Sequence, residues 1–271
     1  MARKRHHPGR QQVRGPGARR KGGADNGPSP WLYGIHAVLA ALGNPARVCD
    51  RILVGDDEVT NLAMKVAARM GRVQLIERMG RDDIAHMLPA GAVHQNIAML
   101  AEPLEQPSLG EALDRAGEQE CVLVLDQVTD PQNVGAIIRS AAAFGVRSII
   151  MQDRNAPRLS GALAKAASGG LEHVAVIYET NLARTLDLLK QESFWCVGLA
   201  GEGEQTVVDA CTNGRLAIVL GAEGSGLRRL VRESCDALAR IPQTGAVESL
   251  NVSNAAAVAL YEFAKATANR A

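Results

Sequence analysis

The sequence predicts an α/β protein in two unequal parts: a small α/β unit over residues 31–102 and, from residue 120 onward, a mostly parallel sheet with helices on both faces. Three observations carry this prediction. Short, unbroken runs of Val, Ile, Leu and Ala recur through the second half, as in strands buried on both sides. Helix-period patterns lie between most of these runs, the alternation that a parallel sheet with crossover helices requires. Between the two parts, residues 103–119 carry Pro103 and Pro107 and then a leading helix, which reads as a linker.

In chain order, residues 33–42 read as a helix, 51–54 as a strand, 61–70 as a helix, 73–76 as a strand and 82–88 as a short helix that stops at Pro89. Residues 96–101 complete the small unit as a strand. Ser108 stands where it can cap the helix that leads into the second part. There, strands are expected at 121–125, 148–151, 174–178, 195–199, 216–220 and 237–241. Helices are expected at 134–144, 163–167, 182–191, 227–233 and 254–268. Ligands of such sheets sit at the carboxyl ends of the strands.

Composition narrows the function. The 271 residues carry a formal charge of +1, but residues 1–30 hold eight Lys and Arg against the single acid Asp25 and so carry +7. The remaining 241 residues hold 22 bases and 28 acids, a body of −6. The first 30 residues also hold six Gly and four Pro and almost nothing apolar, so they are expected to be a disordered basic arm for RNA phosphates or a solubilising extension. The longest apolar stretches, 216–221 and 255–261, fall far below the roughly 18 residues of a membrane span. No apolar block follows the basic start, as a secretory signal would require. Cys49, Cys121, Cys196, Cys211 and Cys235 stand far apart without a Cys-x-x-Cys pair, which predicts reduced thiols, a cytoplasmic location and no metal site. With only eight aromatic residues, base-stacking platforms of the RRM or OB type are not expected.

Unusual residues collect after three of the expected strands. The first cluster holds Asp130-Pro131, a turn, then Asn133, read as the cap of the next helix, and Arg139 within it. A cap and a cation near one helix start can present donors to an anion. From spacing alone an ordinary capped helix with a surface arginine is the favoured reading. The second cluster is Gly221-Ala222-Glu223-Gly224-Ser225-Gly226, whose glycines let backbone approach a ligand. It lacks the third glycine of a dinucleotide fingerprint and the Gly-Lys-Ser/Thr of a P-loop. Glu223 repels phosphate, so a sugar or amine-bearing ligand suits this loop better, or Glu223 serves only the next helix dipole. The third cluster places Ser249, Asn251, Ser253 and Asn254 ahead of a small-residue helix, where one N-cap needs only one of them.

Together and in this order, the clusters resemble the three motifs of the SpoU (TrmH-like) class of SPOUT RNA ribose methyltransferases: Asp-Pro-x-Asn-x-Gly-x-x-x-Arg, Gly-x-Glu-Gly-x-Gly and Ser-Leu-Asn-Val-Ser. Tyr33-Gly34-Ile35-His36-Ala37-Val38, His94-Gln95 and the stretch from Lys165 to His173 are similar to the subgroup that methylates a guanosine of 23S rRNA. Where relatives commonly have glycine after the glutamine, this chain has Asn96, a residue that tolerates left-handed backbone.

The resemblance implies a C-terminal trefoil knot in a methyltransferase domain of residues 120–271, a rare exception to un-knotted topology. It implies S-adenosylmethionine bound bent in that knot, with Gly221, Ile241 and Leu250 as cofactor contacts, and a symmetric homodimer. It implies methyl transfer to a ribose 2′-hydroxyl, expected in the peptidyl-transferase P-loop, without a metal. Asn133, Arg139, Glu223, Ser249 and Asn251 match the catalytic positions. By family analogy Arg139 is most often proposed as the base, although a guanidinium with pKa of roughly 12.5 or more makes that role demanding. Holding the substrate phosphate and polarising the ribose oxygen is the physically simpler role. Glu223 is expected to position Arg139 or to accept a ribose hydrogen bond, and Ser249 and Asn251 to orient the nucleophile.

Two other readings stay open: methylation of tRNA or another rRNA site, and a non-catalytic RNA-binding ribosome-assembly factor. Because the body is acidic, RNA contact calls for local cationic patches, with Arg139, Arg154, Arg158 and Lys165 as candidates.

Overall fold

The computed structural model describes residues 31–211, 214–246 and 249–268; the expected basic arm of residues 1–30 lies outside them. Two sheets form. The first is four-stranded, with β1 (Trp31–Tyr33) antiparallel to β4 (Ile97–Ala101), β4 antiparallel to β2 (Cys49–Val54), and β2 parallel to β3 (Ile76–Arg78). Helices α1 (Ile35–Gly43), α2 (Asp57–Met70) and α3 (Arg81–His86) complete this unit. The start of α2 is set by Asp56, whose carboxylate accepts from the Val59 backbone N–H, and its end by Gly71 in the left-handed conformation.

One expected strand is displaced. Val73–Leu75 forms a 3-10 turn, and pairing with β2 begins only at Ile76. The chain leaves α2 through Gly71 and must tighten before it can run parallel to β2, so the apolar run is spent on the turn. Strand β1 went unforeseen because three residues are too few to show a period.

After a capping box between Ser108 and Glu111 opens α4 (Leu109–Asp114), the second sheet begins. Its strands are β5 (Glu120–Asp126), β6 (Ser148–Gln152), β7 (Ala175–Glu179), β8 (Phe194–Leu199), β9 (Gln205–Thr206), β10 (Arg215–Gly221) and β11 (Ala237–Arg240). All pairings are parallel, in the order β7-β6-β5-β10-β8-β11-β9. The intervening helices are α5 (Pro131–Ala143), α6 (Gly161–Ala167), α7 (Leu182–Gln191), α8 (Val207–Ala210) and α9 (Arg229–Glu233), and α10 (Val252–Ala268) follows β11.

Alternation along the strands explains the continuous apolar runs. Leu123, Leu125, Leu216 and Ile218 join a core with Val134, Ile137 and Ile138 of α5 and Ala256, Ala259 and Leu260 of α10. Their neighbours Val122, Val124, Ala217 and Val219 turn to the opposite face and pack with Leu182, Leu186 and Leu189 of α7 and Val231 of α9. Each fully buried Val, Leu or Ile contributes about 1.5–3 kcal/mol of burial, so both faces must be covered. The expected mostly parallel α/β sheet is therefore present.

The small unit docks on α6 and the turn after it. Arg47 and Glu172 form an ion pair at 2.5 Å with side chains only 6% and 5% exposed. Asn44 donates to the same carboxylate at 2.7 Å, and Arg47 also donates to the Glu102 carbonyl at 2.8 Å. Close packing leaves no room for side chains here: a Cβ on Gly161 would lie 2.2 Å from the Trp31 carbonyl oxygen, and one on Gly169 would lie 2.7 Å from the Ala40 Cβ. The Lys165-to-His173 stretch, noticed in the sequence for its resemblance, is thus the seat of the small unit.

Candidate active site

Strands β5 and β10 lie side by side at the centre of the second sheet, with Gly221 in register with Asp126 at their carboxyl ends. Beyond β5 the chain turns into α5. The cap of that helix is Asp130, which accepts from the Gln132 backbone N–H at 3.1 Å, with Pro131 following it. Asn133 is therefore not the cap expected from the sequence. Placed in the first turn of the helix, its side chain is free to reach across to β10.

It reaches Glu223. Asn133 Nδ2 donates to Glu223 Oε1 at 2.9 Å, Asn251 Nδ2 donates to the same oxygen at 2.6 Å and to Asn133 Oδ1 at 3.0 Å, and the Val252 N–H approaches Glu223 Oε1 at 3.4 Å. Asn251 is oriented in turn from below, because its Oδ1 accepts from the Ser253 N–H at 2.9 Å and from the Ser253 hydroxyl at 2.5 Å. Asn251 is thus the residue that caps α10, out of the four polar candidates. With its Oδ1 committed to Ser253, its amide can face Glu223 only with the donor end. Three separate motifs converge on one carboxylate oxygen. Glu223 Oε2 accepts no hydrogen bond among the described residues.

The glycine loop that carries Glu223 folds back on β10. The Gly226 N–H donates to the Ala222 carbonyl at 2.9 Å, and a Cβ on Gly221 would lie 2.2 Å from the Gly226 carbonyl carbon. Gly224 and Gly226 take φ of 80° and 64°, left-handed values that favour glycine. Behind this loop sits a pair that sequence reasoning missed. Asp126, fully buried, accepts from the Arg228 backbone N–H at 2.8 Å and from Arg228 Nε at 2.7 Å, tying the end of β5 to the end of the loop. An acid closing an otherwise apolar run was the available signal.

The remaining expected residues stand apart from this network. Arg139 is exposed on α5 and makes no hydrogen bond or ion pair, to Glu223 or otherwise, among the described residues. Ser249 is exposed and likewise without a hydrogen bond among them. Ile241 is half-buried against the core, whereas Leu250 keeps 39% of its surface exposed.

These features fit a cofactor such as S-adenosylmethionine. The missing Cβ at Gly221 lets the glycine loop fold tightly against the end of β10, and Leu250 offers apolar surface left 39% exposed by the described residues. Among the described residues no group of three or more His, Cys, Asp or Glu is arranged to hold a metal, and no helix is long and apolar enough to cross a membrane. The cysteines are unpaired, and burial pushes the thiols of Cys196 and Cys235 up to about 12 and that of Cys211 to about 11, leaving them protonated and unreactive.

At the small unit, Gln95 and Asn96 both adopt left-handed φ, 53° and 59°, so the turn that asparagine is expected to tolerate is formed. Gln95 Oε1 accepts from the Ile35 N–H at 3.2 Å, and Asn96 Nδ2 donates to Asp56 at 2.7 Å.

Comparison with known proteins identifies the family of both parts of the chain. Residues 120–261 match the SpoU rRNA Methylase family, and residues 31–107 match the family described as RNA 2'-O ribose methyltransferase substrate binding. The chain is 41% identical over 244 residues to the 23S rRNA (guanosine-2'-O-)-methyltransferase RlmB of Escherichia coli K12, covering 86% of this chain and 97% of that protein. It is 42% identical over 238 residues to the same enzyme of Vibrio cholerae, covering 85% and 94%. In fold it is similar to the SpoU methyltransferase AviRb of Streptomyces viridochromogenes, solved in complex with AdoMet, with a TM-score of 0.73 at 22% identity over 88% of this chain and 90% of that one. From the three converging motifs, the substrate-binding unit and these matches, the chain belongs to the SpoU rRNA methylase family.

Proposed function

We propose that this protein transfers the methyl group of S-adenosylmethionine to the ribose 2′-hydroxyl of a guanosine in 23S rRNA, within the peptidyl-transferase P-loop. The carrying observation is the convergence of Asn133, Glu223 and Asn251 at the carboxyl ends of β5 and β10. Near-complete coverage of the RlmB relatives supports the choice of rRNA over tRNA.

Gly221, Ile241 and Leu250 would hold the cofactor in a knotted C-terminal segment, where it would supply an electrophilic methyl group. The chain's part is alignment and charge. With Oε1 held by three donors, Glu223 presents Oε2 as an acceptor for the 2′-hydroxyl, fixing the direction of its lone pairs. Arg139, exposed and uncommitted, binds the adjacent phosphate and stabilises negative charge developing on the ribose oxygen. Ser249, exposed two residues before Asn251, would add a hydroxyl that orients the nucleophile.

In this proposal residues 31–102 bind folded RNA, 103–119 connect, 120–271 catalyse, and residues 1–30 add long-range attraction to RNA in the cytoplasm. A homodimer completes the enzyme. Val258 and Tyr261 on α10, 36% and 54% exposed, with the Tyr261 ring edge-on to Phe144 at 6.3 Å, give it an apolar face.

The test is to incubate the purified protein with unmodified 23S rRNA, bulk tRNA and labelled S-adenosylmethionine and to map the label. One 2′-O-methylated guanosine in 23S rRNA is expected. Label in tRNA alone would replace the substrate, and RNA binding without any methyl transfer would favour the assembly-factor reading.

A further inference from the structure

A second cleft opens on the other side of β5, away from the glycine loop. It is a shallow surface recess rather than an enclosed cavity, bounded by the end of β5, the turn into α5 and the loop after β6, and its polar lining is Gln127, Thr129, Gln152, Arg154 and Asn155. Gln152, the last residue of β6, holds its Oε1 buried in the protein with no hydrogen-bond partner among the described residues. An acceptor left in that state is costly and calls for a partner, which a bound ligand can supply. At the rim, Arg154 is exposed. Among the described residues no carboxylate lines the cleft, so its chemistry is one buried acceptor, one cation and neutral polar groups.

From this lining we infer that the cleft receives the base of the target guanosine and that Gln152 and Arg154 are specificity-determining residues; the inference rests on the methyl transfer proposed above. Guanine presents N1–H and N2–H donors on one edge beside the O6 acceptor. Gln152 Oε1 accepts from that donor edge while the Arg154 guanidinium donates to O6 and N7. Adenine offers an acceptor where guanine has N1–H and a donor where it has O6, so it leaves Gln152 unpaired and turns its amine toward Arg154. A site that hydrogen-bonds a buried group rejects the analogue lacking it far better than an apolar pocket does.

Placement supports the same assignment. Gln127 and Thr129 precede Asn133 on one continuous turn, and Asp126 beside them anchors the loop that carries Glu223. Base and ribose would thus be held by the two ends of a single β5–α5 connection, with the expected cofactor residues on the β10 and β11 side.

The test uses the full chain and an unmodified 23S rRNA fragment in two forms, with guanosine or adenosine at the mapped position. Expected results for Gln152→Ala and Arg154→Gln are a loss of about 10–100-fold in kcat/KM on the guanosine fragment and a matching fall in the preference over adenosine. Affinity for S-adenosylmethionine, measured by calorimetry, stays at the wild-type level in both. Gln152→Glu, which keeps an acceptor, retains more of the preference than Gln152→Ala. Arg154 lies on an exposed loop, so its variant reports even if Gln152→Ala folds poorly. Wild-type preference in both variants would overturn the inference, as would equal losses on the two fragments, which would mark Arg154 as a phosphate contact. A wild type that methylates no guanosine would overturn the underlying reaction and the base assignment with it.

Discussion

Asn251 and Glu223, on loops 28 residues apart, meet at 2.6 Å, with the amide donating to the carboxylate. That contact makes the third motif a support for the second, and Asn133 joins both from the first. Preorganised polar groups of this kind typically account for about 10²–10³-fold in rate. Asn251→Ala should lower single-turnover methyl transfer by that order while the circular dichroism spectrum stays unchanged. Glu223→Gln should be at least as damaging, because a neutral amide weakens all three incoming hydrogen bonds.

Gly221→Ala should act on the cofactor before it acts on the fold. The new Cβ would sit 2.2 Å from the Gly226 carbonyl carbon, and backbone rather than a flexible side chain must give way. The glycine loop would lift off β10. Calorimetry is expected to show affinity for S-adenosylmethionine at least tenfold weaker, an order of magnitude consistent with about 1.4 kcal/mol. Gly201→Ala is the control, since nothing lies within 4 Å of its added Cβ and its φ is not left-handed.

These two sites mark where the sequence was legible. Continuous apolar runs identified β5 and β10 because each strand is buried on both faces, and helix periodicity placed α7 at Leu182–Gln191. The polar surplus before α10 pointed to the stretch that holds Asn251. What periodicity could not supply was partnership across the sheet. Asn133 read as a cap because capping is local, whereas its real partners lie 90 and 118 residues away. Asp126 with Arg228, and Arg47 with Glu172, were hidden for the same reason: a charge beside an apolar run looks solvated until the fold brings its counter-ion.

The Arg47–Glu172 pair predicts a stability effect far from the chemistry. Glu172→Ala would leave a guanidinium buried without its counter-charge, and breaking such a pair costs about 3–5 kcal/mol. In a chain of this size that corresponds to a melting temperature lower by on the order of 10 °C. The double replacement Arg47→Met with Glu172→Leu should recover much of the loss, since neither charge is then stranded. A single Glu172→Ala variant that melts with the wild type would show that the small unit is not held by this pair.

His94 predicts a pH dependence. Burial, with the nearby Arg81 cation adding to it, holds the imidazole below the usual histidine value, and its Nδ1 has no hydrogen-bond partner among the described residues. The unfolded chain therefore takes up a proton more readily than the folded one. Stability is complete above the unfolded value of about 6.5 and falls as pH drops from there toward the lower folded value. Thermal melts between pH 7.5 and 5.5 should show this decline, and His94→Gln should flatten it. A parallel decline in the variant would assign the effect to other groups.

Asp126 and Arg228 provide the sharpest separation of positioning from chemistry. Asp126 is fully buried while the Arg228 side chain is 39% exposed, so water can reach the cation but not the carboxylate. Arg228→Ala leaves Asp126 with the backbone N–H of residue 228 as its remaining donor, and losing one charge-assisted hydrogen bond costs roughly 1.5–3 kcal/mol. Because the bond ties the strand before Asn133 to the loop after Glu223, that loss should loosen the cofactor loop without removing any group proposed to touch the ribose. KM for S-adenosylmethionine is expected to rise about tenfold, with kcat at saturating cofactor reduced much less. Asp126→Ala, which removes both hydrogen bonds to residue 228 and opens the core, should lower the melting temperature more than Arg228→Ala does. Should Arg228→Ala instead lower kcat with KM unchanged, Arg228 would belong among the groups acting on the reacting atoms, and charge stabilisation at the ribose oxygen would be shared between Arg139 and Arg228.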